Sequence, residues 1–190
     1  MPTIAIIGAG PLGRWLALAA ARAGFRVFLE DVMPSNLHHA QEYIRRELSA
    51  EALGDSAPAQ VHFVSTVEDA VREADLAIDC VPDELESKLE IFWLLDRMAP
   101  PKTVLATPTT ALSIDDLAGC TYRPEKCIAI AASPRTLSDE RPGSTIRLIS
   151  TERTAPDAIA LVRSFWERLG FLPQFEASSA NLKPTPADSQ

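Results

Sequence analysis

The chain has 190 residues, with 26 Asp and Glu against 18 Lys and Arg, a formal net charge of −8 and a pI near 4.9. That acid excess argues against a surface for nucleic acid or an anionic membrane, since both need clustered cations. The length suits one large domain with a proper core, and Cys80, Cys120 and Cys127, without C-x-x-C spacing, argue against a disulfide framework or a metal site. No basic leader opens the chain and no apolar run approaches a membrane span, so a soluble, cytoplasmic protein is expected.

The predicted elements alternate. Ile4 to Ile7 is a first strand, Pro11 to Ala23 a helix stopped by Gly24, and Arg26 to Leu29 a second strand. Pro34 and Ser35 open a helix through Leu48, which carries His38 and His39, and Gly54 to Pro58 reads as a loop before the third strand, Val61 to Val64. Thr66 caps a short helix, and Leu76 to Val81 is a fourth, continuously apolar strand. Asp83 to Met98 is the longest helix, ended by Pro100 and Pro101, and Thr103 to Ala106 is the fifth strand. Ser113 caps a turn from Ile114 to Ala118, and Cys127 to Ala132 is a sixth strand. Ser133 to Ser144 reads as an exposed loop, Thr145 to Ile149 as a strand, and Thr154 as the cap of a helix from Ala155 to Leu169. Phe171 to Phe175 is the last strand. Residues 1–176 are expected to form one domain, and the polar stretch 177–190 a disordered tail.

This order predicts an α/β, doubly wound, mostly parallel sheet with helices on both faces. Its first unit is the most informative. Gly8, Gly10 and Gly13 satisfy G-x-G-x-x-G between a strand and a helix, the context in which the motif has a physical meaning. Gly8 permits the turn, Gly10 lets the backbone approach a pyrophosphate, and Gly13 lets the helix lie close to the sheet. Ala9, Pro11 and Leu12 complete the turn, with the free N–H groups of the helix start facing the anion. Asp31, 18 residues beyond Gly13, stands where a carboxylate can accept hydrogen bonds from the adenosine ribose, with Glu30 as the competing acid. No Arg or Lys follows within Val32 to Gln41 to receive a 2′-phosphate, so the residues point to a Rossmann-type domain that binds NAD rather than NADP.

Beyond the fingerprint, the chain resembles the N-terminal NAD-binding domain of 3-hydroxyacyl-CoA dehydrogenases. The likeness rests on IAIIGAGPLGR, on Asp31, on ADLAIDCVPDELESK from Ala74 and on APPKTVLATPTTALSI from Ala99. It implies that Asp83, Lys88 and Thr110 contact the nicotinamide half of NAD. As local chemistry, Asp83 equally suits the first turn of a helix and Lys88 a solvated face. The resemblance also implies a histidine base oriented by a glutamate. Here Ala131 stands at the histidine's place and the glutamate's falls near Leu148, so no catalytic residue is assigned. His38, His39 and His62 are not expected near the nicotinamide, and Cys80 reads as an inert buried thiol. The family's helical C-terminal domain is expected to be missing, since the polar stretch from Ala177 does not read as one.

The reading is therefore an NAD(H)-binding sensor or subunit of a complex. Its alternative is an oxidoreductase that uses Thr110, Ser133 or a partner chain on a 3-hydroxyacyl-type or other small hydroxy or oxo substrate. On the long helix, Leu85, Leu89, Phe92 and Leu95 form the predicted buried stripe. Trp93 and Leu94 there, with Trp15 on the first helix, are expected to face outward and hold a second copy or a separate chain.

Overall fold

Four strands are buried on both faces, which is why their sequences are continuous apolar runs instead of alternating ones. The computed structural model describes residues 1–50, 61–133, 135 and 137–178. The four are β1 (Thr3–Ile7), β4 (Leu76–Asp79), β5 (Val104–Pro108) and β6 (Cys127–Ile130). They lie at the centre of one sheet, flanked by β2 (Arg26–Glu30), β3 (Val61–Val64), β7 (Thr145–Ser150) and β8 (Leu172–Ala177). Strand order is β3-β2-β1-β4-β5-β6-β7-β8, parallel throughout except between β6 and β7.

Helices α1 (Pro11–Arg22), α2 (Pro34–Ala50) and α6 (Pro156–Arg168) cover one face; α3 (Val67–Val71), α4 (Leu85–Met98) and α5 (Ile114–Gly119) cover the other. Ile4, Ile6, Leu29 and Ile78 meet Leu16, Ile44 and Trp166 in the first core, while Ala5, Ile7 and Leu105 meet Val71, Phe92 and Leu117 in the second. This is the doubly wound α/β fold. Strand β1 lies between β2 and β4, so the order in which strands join the sheet reverses there and the ends of β1 and β4 open a crevice. The glycine turn leaves β1 at that point.

Several expectations change once side chains meet. Strand β4 ends at Asp79, and β6 stops at Ile130 because Ala131 N–H turns to Arg147 C=O and Ala132 N–H to Ile130 C=O. Helix α4 begins at Leu85 with Glu84 as its N-cap, so Leu85 sits on an open first turn and is 51% exposed, outside the buried stripe that Phe92 and Leu95 do form. Thr154 does not cap α6. Its hydroxyl accepts the Thr151 N–H, and Ala155 occupies the cap position. The loop after β6 is not wholly exposed either: residues 137–139 form a 3-10 turn that drives Leu137 into the core against α1.

Thr66 and Ser113 cap as expected, each accepting the N–H three residues on. Strand β8 runs through Ala177, and Ser178 N–H donates to Ser150 C=O, so the ladder passes the expected start of the tail. Residues 179–190 and the 54–58 loop lie outside the described residues. Among the described residues no helix is long and apolar enough to cross a membrane.

Candidate functional site

The three glycines meet three different surroundings. Gly8 adopts φ +99°, and a Cβ on it would touch Cys80 at about 3.5 Å. On Gly13 a Cβ would fall 1.8 Å from the Gly8 carbonyl oxygen, an overlap no rotamer relieves, so only glycine lets α1 start this close to β1. On Gly10 it would meet nothing within 4 Å. That open side is where an anion has room. Pro11 occupies the first turn, no side chain caps it, and the first intrahelical bond runs from Arg14 N–H to Gly10 C=O. The Leu12 and Gly13 N–H groups at the helix start are thus available to a diphosphate. Ala9 packs below the turn and is 2% exposed.

Asp31 closes the adenosine side. It is 8% exposed; Oδ2 accepts Ala9 N–H at 2.8 Å and Asn36 Nδ2–H at 3.1 Å, and Oδ1 accepts Met33 N–H at 2.8 Å. The carboxylate is held in place by donors from the glycine turn and from α2. Three of its roughly four lone-pair sites are thus filled, and the one left is an acceptor for a ribose hydroxyl. Glu30 is also buried, at the end of β2. Burial, and then the Asp31 charge, push its carboxyl up to about 7, against the pull of the Gly8 N–H. The residues present therefore suit the adenosine diphosphate half of NAD.

Across the crevice, Thr110 N–H donates to Asp83 Oδ2 at 3.1 Å, joining the β4–α4 turn to the β5–α5 turn. Asp83 Oδ1 is buried and meets no partner among the described residues. Lys88 is elsewhere: fully buried, with Nζ 2.6 Å from the equally buried Asp79 Oδ1. It is no solvated face residue. Burial pushes the Asp79 carboxyl up while Lys88 pulls it down, and neither Asp79 Oδ2 nor the adjacent Thr107 Oγ1 has a partner in hydrogen-bonding geometry. Sequence reasoning named neither Asp79 nor Asn36. An acid closing a continuously apolar strand and an Asn in the first turn after Asp31 were the available signals.

The two places that the resemblance assigns to the histidine and the glutamate hold side chains that take no proton. From Ile128 to Ala132 every residue is apolar, so shifting the histidine's place by one residue in either direction changes nothing. Leu148 pairs with Ile130 across β7 and β6 and is wholly buried, and no acid lies anywhere on β7. His38 and His39 are exposed beside Arg14, Tyr43, Arg45 and Arg46 in a groove between α1 and α2. His62 stacks on Phe28 at 4.7 Å on the outer strand pair. Cys80, at the tip of β4, carries a thiol pushed well above its usual range by burial and by Asp79, so it stays protonated.

Of the three residues expected to face outward, only Trp93 does. It is 52% exposed, with the Arg97 guanidinium 4.7 Å over its ring. Trp15 folds against the first core and meets Phe171 edge-on at 6.2 Å, and Leu94 packs on the second core. Each had a neighbour that helix geometry alone does not show.

Comparison with known proteins agrees with this geometry. Residues 3–173 match the family described as 3-hydroxyacyl-CoA dehydrogenase, NAD binding domain. The chain is 30% identical over 177 residues to 5-formyl-3-hydroxy-2-methylpyridine 4-carboxylate 5-dehydrogenase of Mesorhizobium japonicum, covering 90% of this chain and 55% of that protein. It is 33% identical over 135 residues to a probable 3-hydroxybutyryl-CoA dehydrogenase of Bacillus subtilis, covering 67% and 47%. The solved (S)-3-hydroxybutyryl-CoA dehydrogenase of Ralstonia eutropha superposes with a TM-score of 0.81 at 23% identity, over 94% of this chain and 64% of that one, a likeness of fold. The chain spans about half the length of the curated relatives it matches. With the glycine turn, Asp31 and the switch-point crevice all in their places, the chain belongs to the NAD-binding domain family of the 3-hydroxyacyl-CoA dehydrogenases.

Proposed function

We propose that the protein holds NAD(H) and carries out no hydride transfer by the His–Glu route of its family, acting as a sensor or as one subunit of a complex. The observation that carries this reading is the apolar lining of the β6 end, Ile128 to Ala132, opposite the buried Leu148. A hydroxyl whose hydride leaves must lose a proton, and no group there accepts one. NAD, when bound, supplies the hydride chemistry itself. The chain's residues do the holding: the Leu12 and Gly13 N–H groups take the diphosphate, Asp31 orients the ribose and rejects a 2′-phosphate, and Asp83 with Thr110 frames the nicotinamide side.

Lys88 enters this reading as the residue that anchors the first turns of α4 through Asp79 rather than as a direct ligand. The same reading keeps a cytoplasmic setting, and the likeness to 3-hydroxyacyl-CoA dehydrogenases supports a place in fatty acid metabolism. The partner surface narrows to Trp93 and Arg97, where a second copy or a separate chain would cover the half-exposed indole. The test is calorimetry with NAD+, NADH and NADP+ beside a turnover assay with 3-oxoacyl thioesters. Binding of NAD(H) without turnover is expected; family-like turnover by the purified chain overturns the proposal.

A further inference from the structure

Two acids in succession close the β2 end, where the Glu30 main chain and the Asp31 side chain bond two different amides of the glycine turn. Glu30 C=O accepts Gly8 N–H at 2.8 Å, and the Asp31 carboxylate accepts Ala9 N–H at 2.8 Å. The Asp31 side chain turns to the cofactor loop. The Glu30 side chain lies on the opposite face to Leu29, the face of Phe28, with Ile7 and Val64 as its neighbours across β1 and β3. Glu30 is 6% exposed and makes no ion pair among the described residues. A buried carboxyl beside a fixed carboxylate, on the residue whose main chain bonds the glycine turn, has a task that ribose recognition does not absorb.

We infer that Glu30 couples NAD(H) binding to proton uptake, so that the affinity of the glycine turn for the dinucleotide rises as pH falls. This rests on the NAD(H)-binding reading. In the free protein the Glu30 carboxyl is poised near neutrality, because burial and Asp31 disfavour its charge. A bound diphosphate brings further negative charge to the loop and removes water from it, and both favour the neutral acid. The proton comes from solvent and sits on the Glu30 carboxyl, and binding and protonation then strengthen each other by the same factor.

No other group around the end of β2 takes this part. On β3, His62 lies two positions back and stacks on Phe28. On α3, Asp69 is tied to Arg72 and to Thr66, and Glu68 is exposed. On α1, Arg14 lies over Tyr43, on the other face of the sheet. On α2, Asn36 binds Asp31 while His38 and His39 face the outer groove. Strand β1 offers only Thr3 and apolar residues. Asp31 is the one charge that acts on Glu30.

The test is calorimetric titration of NAD+ into the full chain at pH 6, 7, 8 and 9, in buffers of different ionisation enthalpy, for the parent and for Glu30→Gln. The parent is expected to bind about tenfold more tightly at pH 6 than at pH 9 for each unit by which the bound dinucleotide raises the Glu30 pKa, with fractional proton uptake near pH 7. Glu30→Gln is expected to bind with pH-independent affinity close to the parent's at pH 6. Glu30→Val, suited to a buried strand, serves if Gln is not accommodated. Binding with neither pH dependence nor proton exchange overturns the coupling and leaves the NAD reading intact. A pH dependence that persists in the Glu30 variants assigns it to another group and also overturns it. Absence of NAD+ binding at every pH overturns both.

Discussion

The two halves of the crevice are built to different standards. On the adenosine side the Asp31 carboxylate is held by three donors, and a Cβ on Gly10 would meet nothing within 4 Å, which leaves the turn open to a ligand. On the nicotinamide side, Asp79 Oδ2, Asp83 Oδ1 and Thr107 Oγ1 are buried without a well-formed hydrogen bond among the described residues, and the strand end that should carry a base is apolar. Cofactor binding and proton transfer rest on different strands of this fold. The β1–β2 unit holds the first, and the ends of β6 and β7 would hold the second.

The largest effect that can break this comparison is a rate. Without a general base the chain is expected to be at least about 100- to 10,000-fold slower than an intact dehydrogenase on 3-hydroxyacyl thioesters. Introducing Ala131→His with Leu148→Glu is not expected to rescue it, because Leu148 is a core residue and a buried unpaired acid costs stability before it orients anything. Activity restored by that pair, seen in a stopped-flow or steady-state assay, would show the catalytic half to be intact apart from two side chains.

Next is the buried pair. Lys88→Met strands the Asp79 charge at full burial and should cost about 3–5 kcal/mol in chemical denaturation, whereas Lys88→Met with Asp79→Leu should recover much of that loss. If Lys88→Met unfolds like the parent but loses NAD(H) affinity, Lys88 is a ligand and the two halves are closer in standard than they look.

Glu30 sharpens the comparison through stability. Its carboxyl titrates near 7 in the folded chain and near 4.5 when unfolded, so the folded state binds the proton more tightly. The native state therefore holds this contribution below pH 4.5 and loses it as pH rises to about 7. Glu30→Gln should become the more stable protein across that window, by up to about 3 kcal/mol above pH 7. Equal pH dependence of the two melting curves would count against a perturbed Glu30.

Asp31→Asn keeps the shape and removes the charge. It should weaken NAD+ binding by about 1.5 to 3 kcal/mol and narrow the margin over NADP+. Gly10→Ala and Gly13→Ala separate site from scaffold: the first should leave stability almost unchanged and lose affinity, the second should lose stability, since its Cβ meets the Gly8 carbonyl. The smallest effect is at Trp93. Trp93→Glu should shift the sedimentation of any self-associated parent to that of a monomer, and a parent already monomeric withdraws that surface as a contact between copies.

The sequence by itself determined the order of strands and helices, the place and purpose of the three glycines, and the acid at the end of β2. These are encoded locally, in periodicity, in backbone freedom and in spacing along one βαβ unit. It also showed that Ile128 to Ala132 carry no ionisable side chain, which holds in any fold. Tertiary structure alone decided the rest, because burial belongs to neighbours far apart in the chain. Lys88 looked free to face solvent until Asp79, nine residues earlier, met it in the core. Trp15 pointed away from the sheet until Phe171 from the other end of the chain closed over it. Leu137 sat in a polar loop until the 3-10 turn carried it inward, and Leu85 left the buried stripe because α4 starts beyond Asp83. The poise of Glu30 is of the same kind: one glutamate among many in the sequence, it is set apart by the burial of its carboxyl and by the acid beside it.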